Sequence, residues 1–259
     1  MNAPSDIPTL QWQERLYHRD QLRSGRYAAL ADAEGFHTIC FALEALGLRL
    51  HGRKAALGGY RAGLAELAQA SVVLSLLSVT HANQFTRFAA LFELVKTARD
   101  DAMHTGVYAR HATAAAIELC IGLEEALMKE QEIPRHAVED FMVKAPIVLE
   151  QWQPVAHARQ LMLTHSFSFL PVFIGGWKLL SETGLARYMR SKKESWAALL
   201  SKPISDAAQS LSLADAKVVG LKDEIDQLLY DQANSEARLW LVVDEHNRLC
   251  GVLSPFELI

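Results

Sequence analysis

Hydrophobic residues recur every three or four positions along the first half of the chain, which is the period of an amphipathic helix. Over 26–50 they are Tyr27, Leu30, Phe36, Ile39, Leu43 and Leu46. The same spacing predicts further helices over 60–79, 83–105 and 107–129. Long helices with short connections favour an antiparallel bundle. Residues 1–25 are expected to add a short helix or a tail before it.

The pattern changes after 131–135, where prolines become regular and short β-rich runs alternate with short helices. The order helix, strand, turn, strand occurs twice, about seventy residues apart, and this is an internal repeat. The first occurrence comprises 155–164, 168–174 and 177–180, and the second comprises 223–232, 239–243 and 248–253. The fold class predicted is therefore α+β, with a helical bundle followed by an α/β repeat pair.

The predicted domain boundaries follow from these two patterns. They are an N-terminal segment 1–25, a helical bundle 26–130 and a repeat pair 135–259, with copy one over about 135–191 and copy two over about 200–259.

Composition restricts the class of protein. The chain of 259 residues is 50% hydrophobic and can bury a sizeable core, and its net charge of −4 excludes a broad basic surface for nucleic acid. Cys40, Cys120 and Cys250 are far apart and odd in number, which argues against a disulfide framework and for a reducing compartment. The apolar run over 70–79 is interrupted by serines and is too short to span a bilayer. We expect a cytoplasmic protein without a membrane segment or a metal site.

The repeat resembles a pair of CBS motifs, also called a Bateman module. The resemblance is carried by 169–172 and 180–185 in copy one and by 241–257 in copy two, where Gly251, Ser254 and Glu257 follow the spacing Gly-x-x-Ser-x-x-acid. It implies that an adenine nucleotide binds as a regulatory ligand between the copies. The acidic residue would accept hydrogen bonds from the ribose, and the hydroxyl would contact sugar or phosphate oxygens.

The two copies match this pattern unequally. Copy one has Ser181 at the hydroxyl position, but it has Lys178 at the glycine position and Gly184 at the acidic position. We therefore expect one competent nucleotide site at most, built on Ser254 and Glu257. The alternative is a repeat pair that binds no ligand and serves only as a structural or dimerising element.

The motif Arg99-Asp-Asp-Ala-Met-His104, at the end of a predicted helix, resembles the signature of the HEPN superfamily. Arg159 and His165 also fit a loosened form of that signature, but they lie in the repeat half. The resemblance implies a metal-independent endoribonuclease that needs no cofactor, acts on RNA and forms its active site across a homodimer. In this reading Arg99 stabilises charge on the scissile phosphate, His104 is the general acid or base, and Asp100 orients His104.

Helix geometry limits how these three residues can meet. Asp100 and His104 are four residues apart and share a helix face, whereas Arg99 is rotated from His104 by about 140°. Arg99 can join His104 only if the helix unwinds before Gly106 or if a second subunit supplies one of them. Otherwise Arg99, Asp100 and Asp101 form a solvated helix end, and His104 interacts with the helix dipole.

Two functions are consistent with these observations. The first is an RNA-cleaving toxin or stress effector that an adenine nucleotide controls through the repeat pair. The second is a non-catalytic nucleotide-sensing protein, regulatory or dimerising, whose helical half binds a partner protein. The negative net charge favours the second, because RNA binding usually needs a basic surface.

Overall fold

The computed structural model describes residues 10–32, 35–105, 110–129, 137–191, 195–232 and 239–259; the side chains of 102–111 and 231–232 lie outside that description. The chain forms two compact units, Met1–Ile133 and Pro134–Ile259. The first unit is helical, and the second combines short helices with two small sheets. The predicted α+β fold class is therefore confirmed.

The helical unit is built on four long helices. They are α1 (Trp12–Ala31), α2 (Phe36–His51), α5 (Phe88–Thr105) and α6 (Arg110–Met128), with the shorter α3 (Arg61–Ala68) and α4 (Ser78–Thr80) between them. Helix α1 packs against α2 and α6, and α5 packs against α6. The helix predicted to start at Arg26 is wrong in its start, because α1 already begins at Trp12. Residues 12–25, which were predicted to lie in an N-terminal segment, thus belong to α1 of the bundle.

The predicted continuous helix over 26–50 is divided where α1 gives way to α2. The amide of Gly35 donates to the carbonyl of Asp32 at 2.9 Å. A Cβ atom at Gly35 would lie 2.3 Å from the carbonyl carbon of Ala28. Only glycine allows the start of α2 to approach α1 this closely, and the division follows from that approach.

The predicted helix over 60–79 is also divided, because Ser71 and Glu125 satisfy the backbone at a bend. The segments Leu57–Ala68 and Val73–Thr80 meet at 103°. The Ser71 hydroxyl donates to the Glu125 carboxylate at 2.5 Å, and the Val72 amide donates to the same carboxylate at 2.9 Å. A helix can end where side chains accept from its free amides. A π-helical turn, Val73–Leu77, leads into α4.

Buried aliphatic and aromatic residues from all four long helices form the core of the helical unit. The fully buried ones include Leu22, Phe36, Ile39, Leu43, Leu46, Phe92, Val95, Leu119 and Leu123.

Among the described residues, no single helix is both long and apolar enough to cross a membrane. The bent pair Leu57–Ala68 and Val73–Thr80 meets that criterion only when its two segments are taken together.

The second unit carries the predicted repeat. Its helices are α7 (Val138–Phe141), α8 (Val155–His165), α9 (Glu182–Met189), α10 (Trp196–Ser201), α11 (Ile204–Ala207) and α12 (Ile225–Gln232). Its strands are β1 (Val143–Lys144), β2 (Phe169–Phe173), β3 (Trp177–Ser181), β4 (Ala214–Asp215), β5 (Lys217–Gly220), β6 (Trp240–Val243) and β7 (Leu249–Leu253). The predicted helix, strand, turn, strand order is confirmed in both copies.

The two copies have the same internal topology. In copy two, β5 pairs in parallel with β6, which pairs antiparallel with β7. In copy one, Leu149 forms a parallel bridge to Val172 on β2, which pairs antiparallel with β3. Each copy thus has a strand or bridge, a helix and a hairpin in the same order, as an internal repeat requires.

Each copy also adds a short strand to the sheet of the other. Strand β1, in the first part of copy one, pairs with β7 of copy two, and β4, in the first part of copy two, pairs with β3 of copy one. The resulting sheet orders are β1-β7-β6-β5 and β2-β3-β4. Separate cores lie against the two sheets, one around Leu170, Val172 and Leu180 and the other around Trp240, Val242 and Leu253.

Candidate functional site

Arg99 lies on α5 and links it to α2. Its Nη2 atom donates to Oε1 of Glu44 at 2.7 Å, and its Nη1 atom donates to Oδ1 of Asp100 at 3.3 Å. Burial alone would lower the pKa of Arg99, but the carboxylates of Glu44 and Asp100 outweigh it and raise that pKa. The guanidinium is therefore held in an ion-paired, interhelical position.

The predicted pairing of Asp100 with His104 stays a prediction, because the His104 side chain lies outside the described residues. The backbone of α5 is continuous through Thr105, so the helix does not unwind between Arg99 and His104. Gly106 also lies outside the described residues. Within one chain Arg99 and His104 stay on different sides of the helix. A shared site would need a second chain.

Cys40 on α2 is a buried thiol whose ionisation is influenced by the charge of Arg99. Burial raises the pKa of Cys40 to about 12, although the positive charge of Arg99 acts in the opposite direction. The thiolate is the nucleophilic form of cysteine. Cys40 is therefore a protonated core residue at neutral pH.

A buried charge cluster joins α1 to α6. Arg26 donates from Nε and Nη2 to the two carboxylate oxygens of Glu124, each at 3.0 Å, and Arg23 lies 4.0 Å from the same carboxylate. Only 11% of the Arg26 and Glu124 side-chain surfaces is exposed. The hydrophobic pattern gives no sign of this pairing, because Arg26 and Glu124 are 98 residues apart in sequence.

The predicted nucleotide-site residues of copy two lie together at the end of β7. The Ser254 amide and hydroxyl both donate to Oε2 of Glu257, at 2.7 and 2.6 Å. Ser254 Oγ also accepts from the Phe256 amide at 3.2 Å. The two side chains thus form a capping box around a final helical turn, Pro255–Leu258. A carboxylate and a hydroxyl are held next to each other on one surface.

Gly251 lies on β7, in the part of that strand that pairs with β1. It is the register partner of Lys144. A Cβ atom at Gly251 would lie 2.6 Å from Sδ of Met142 and 2.9 Å from the carbonyl oxygen of Val143. The glycine of the motif is therefore required by the exchanged strand, whether or not a ligand binds.

The corresponding residues of copy one have structural contacts instead. Ser181 caps α9 by accepting from the Gly184 amide at 3.0 Å. A Cβ atom at Gly184 would lie 2.5 Å from the carbonyl oxygen of Leu211. Lys178 pairs with Asp215 of the exchanged strand β4 at 2.5 Å. An acidic side chain cannot stand at Gly184 in this packing, because the backbone of Leu211 occupies its space.

The two hairpin turns of the repeat contact each other. Nε1 of Trp177 donates to the carbonyl oxygen of Asn247 at 3.2 Å. Within the second turn, the hydrogen bond from the Arg248 side chain, joined by backbone amides of Arg248 and His246, lowers the pKa of Asp244 to about 2. Asp244 is therefore ionised throughout the ordinary pH range, and its role is to organise this turn.

In the described part of the chain, no group of three or more His, Cys, Asp or Glu side chains could hold a metal ion.

No protein-family model matches the sequence, and no curated protein matches it. Among solved structures it is similar to a CBS domain-containing protein from Bacillus anthracis, with 16% identity, a TM-score of 0.39, and coverage of 49% of this chain and 91% of that one.

Two further similar structures were solved with ligands. One is CbpB in complex with c-di-AMP, with 11% identity, a TM-score of 0.39, and coverage of 47% of this chain and 81% of that one. The other is the CBS domain pair of MJ0100 with 5′-methylthioadenosine and S-adenosyl-L-methionine, with 15% identity, a TM-score of 0.37, and coverage of 48% and 94%.

Proposed function

We propose that this protein is a nucleotide-responsive regulatory protein whose repeat unit binds one adenine nucleotide through copy two. The observation that carries the proposal is the adjacent Ser254 hydroxyl and Glu257 carboxylate, held by a capping box at the end of β7. A carboxylate can accept hydrogen bonds from ribose hydroxyls, and the Ser254 oxygen can accept one from a sugar hydroxyl while its hydrogen is donated to Glu257.

The difference between the copies supports a single site. Gly184 leaves no space for an acidic side chain, and Lys178 is paired with Asp215. Copy one therefore lacks a carboxylate acceptor at the position that Glu257 occupies in copy two. A one-to-one stoichiometry follows for the ligand.

The helical unit is proposed to bind a partner protein, and the chain is proposed to act as a homodimer. Val72, Leu76 and Val79 support the first of these proposals, because they lie four and three residues apart and are 46, 58 and 59% exposed. An exposed apolar stripe of this kind is typical of a protein–protein contact. Sedimentation of the full chain gives its oligomeric state.

Calorimetry with the full chain tests the nucleotide proposal. The ligands are AMP, ATP, S-adenosylmethionine and an adenine dinucleotide. We expect one of them to bind in a one-to-one ratio, and Glu257→Gln to weaken it about tenfold or more through loss of charge-assisted hydrogen bonds. The matched control is Ser181→Ala in copy one, which should leave affinity unchanged. Heat from none of the four ligands, with folded protein, would contradict the proposal.

Ribonuclease activity is the second candidate, because Arg99 and His104 lie on a bundle helix as the HEPN resemblance implies. The interhelical bond of Arg99 to Glu44 weakens this candidate, since the arginine already has a structural partner. Incubation of the purified protein with total RNA tests it. Cleavage that is abolished by His104→Ala, in a variant that stays folded, would support ribonuclease activity. Cleavage that persists in this variant would contradict it.

A further inference from the structure

An open groove of about 600 Å³ lies between α8 and α9 of copy one. From each helix the lining residues are three or four positions apart, so a single face of each helix is turned toward the groove. The lining includes Arg159, Met162 and Leu163 from α8, Leu185, Met189 and Arg190 from the α9 side, and Trp196. A volume of this size lies in the range of small-molecule sites.

The groove has two different ends. The Glu182 amide, at the start of α9, donates to the Ser168 carbonyl at 2.9 Å, so α9 begins beside the end of α8. Helix α8 precedes and packs on β2, and α9 follows and packs on β3, which pairs antiparallel with β2; we infer from this topology that the two helices run in opposite directions. Arg190 follows the end of α9, and Arg159 lies in the first half of α8, which places both at the end away from Glu182. One end is cationic and the other carries a carboxylate.

The two arginines are available to a ligand. Both are exposed, and in the part of the chain that the structure describes neither guanidinium forms an ion pair or a hydrogen bond. The middle of the groove is apolar, and Leu163 and Trp196 at its rim are 66 and 56% exposed. Apolar surface next to uncompensated positive charge fits a molecule with an apolar body and an anionic group.

We propose that this groove binds an amphiphile with one anionic head group and one apolar chain. The head group is held by Arg159 and Arg190, and the chain lies along Met162, Leu163 and Leu185. The distance along α8 from Arg159 to Ser166 is about 10 Å at 1.5 Å per residue, which suits a chain of medium length. Glu182 at the far end disfavours a second anionic group. Neither Ser254 nor Glu257 lines the groove, so the two proposed sites share no residue.

Calorimetry with decanoate, below its micelle-forming concentration, tests the proposal on the full chain. Decyltrimethylammonium has the same chain with a cationic head, and decanedioate has the chain with an anion at each end. We expect decanoate to bind one to one and at least tenfold more tightly than either. The Arg159→Gln/Arg190→Gln double variant should weaken decanoate about tenfold or more.

Arg187 provides the matched control. It lies on α9, is exposed and does not line the groove, so Arg187→Gln should leave decanoate affinity within a factor of about two. Equal affinity for the cationic amphiphile, or affinity unchanged by the double variant, overturns the proposal. So does a dimer that Leu163→Asp dissociates while decanoate binds neither form, because a second copy would then occupy the groove.

Discussion

The guanidinium of Arg99 donates a 2.7 Å hydrogen bond to the carboxylate of Glu44 and so joins α5 to α2. Both side chains are 28% exposed. This pairing gives Arg99 a role in the stability of the bundle, whatever else it does. It also changes the meaning of the Arg99–His104 motif, because the arginine is part of the helix packing.

A double-mutant cycle on Arg99→Gln and Glu44→Gln measures this role. We expect a coupling free energy of about 0.5–1 kcal/mol, since the pair is only partly screened by solvent. Chemical denaturation followed by circular dichroism gives the values. The control cycle uses Arg61 and Glu93. Nη1 of Arg61 lies 3.0 Å from Oε1 of Glu93, and the two side chains are 50 and 45% exposed. Coupling at Arg99 no larger than in that control would show that the partial burial of this pair adds nothing to the stability of the bundle.

Glu124 is expected to contribute more to the free energy of unfolding of the helical unit than the more exposed Glu14. Glu124→Gln leaves Arg26 and Arg23 without their shared acceptor in a site where only 11% of the side-chain surface is exposed. We expect a loss of about 3 kcal/mol in the free energy of unfolding. Glu14→Gln breaks the more exposed pair with Arg49 and should have a clearly smaller effect. Equal losses in the two variants would contradict the assignment of Glu124 as a buried partner.

His18 makes the stability of the helical unit dependent on pH. Burial lowers its pKa below 6.5 and Arg49 adds to this, although Glu14 acts in the opposite direction. The unfolded chain therefore takes up a proton more readily, and stability is lost as pH falls from about 6.5 toward the pKa in the folded state. His18→Gln should flatten this slope in denaturation curves between pH 7 and 5. An unchanged slope would be inconsistent with a neutral, buried His18; the exposed His37→Gln is the control.

The fold class and the repeat could be predicted from periodicity, because helix and hairpin patterns are local in sequence. The positions where helices divide could not. The break at Gly35 depends on the close approach of Ala28, and the bend after Ala68 depends on Glu125, which is more than fifty residues away. The hydrophobic period continues through both positions and contains no sign of the contact that ends the helix.

The candidate sites were predictable to a similar degree. The CBS-like spacing placed Ser254 and Glu257 in one candidate site; the capping box that joins them was not predicted, although residues three apart are able to form one. The pairing of Arg99 with Glu44 could not be foreseen, because the two residues are on different helices. For Gly184 the sequence indicated only a missing acid; the physical reason, the carbonyl of Leu211, comes from tertiary packing.

Gly184 and Gly251 should resist substitution for reasons that do not depend on any ligand. Alanine at Gly184 places Cβ 2.5 Å from the Leu211 carbonyl oxygen, a backbone atom that cannot move aside easily. We expect Gly184→Ala to cost about 1–3 kcal/mol in unfolding free energy, and Thr183→Ala, an exposed neighbour on α9, to change it little. Gly184→Asp, which restores the acid of the CBS-like pattern, should destabilise the unit without adding a second nucleotide in calorimetry. A stable Gly184→Asp variant that binds two nucleotides would show that Leu211 does not close copy one.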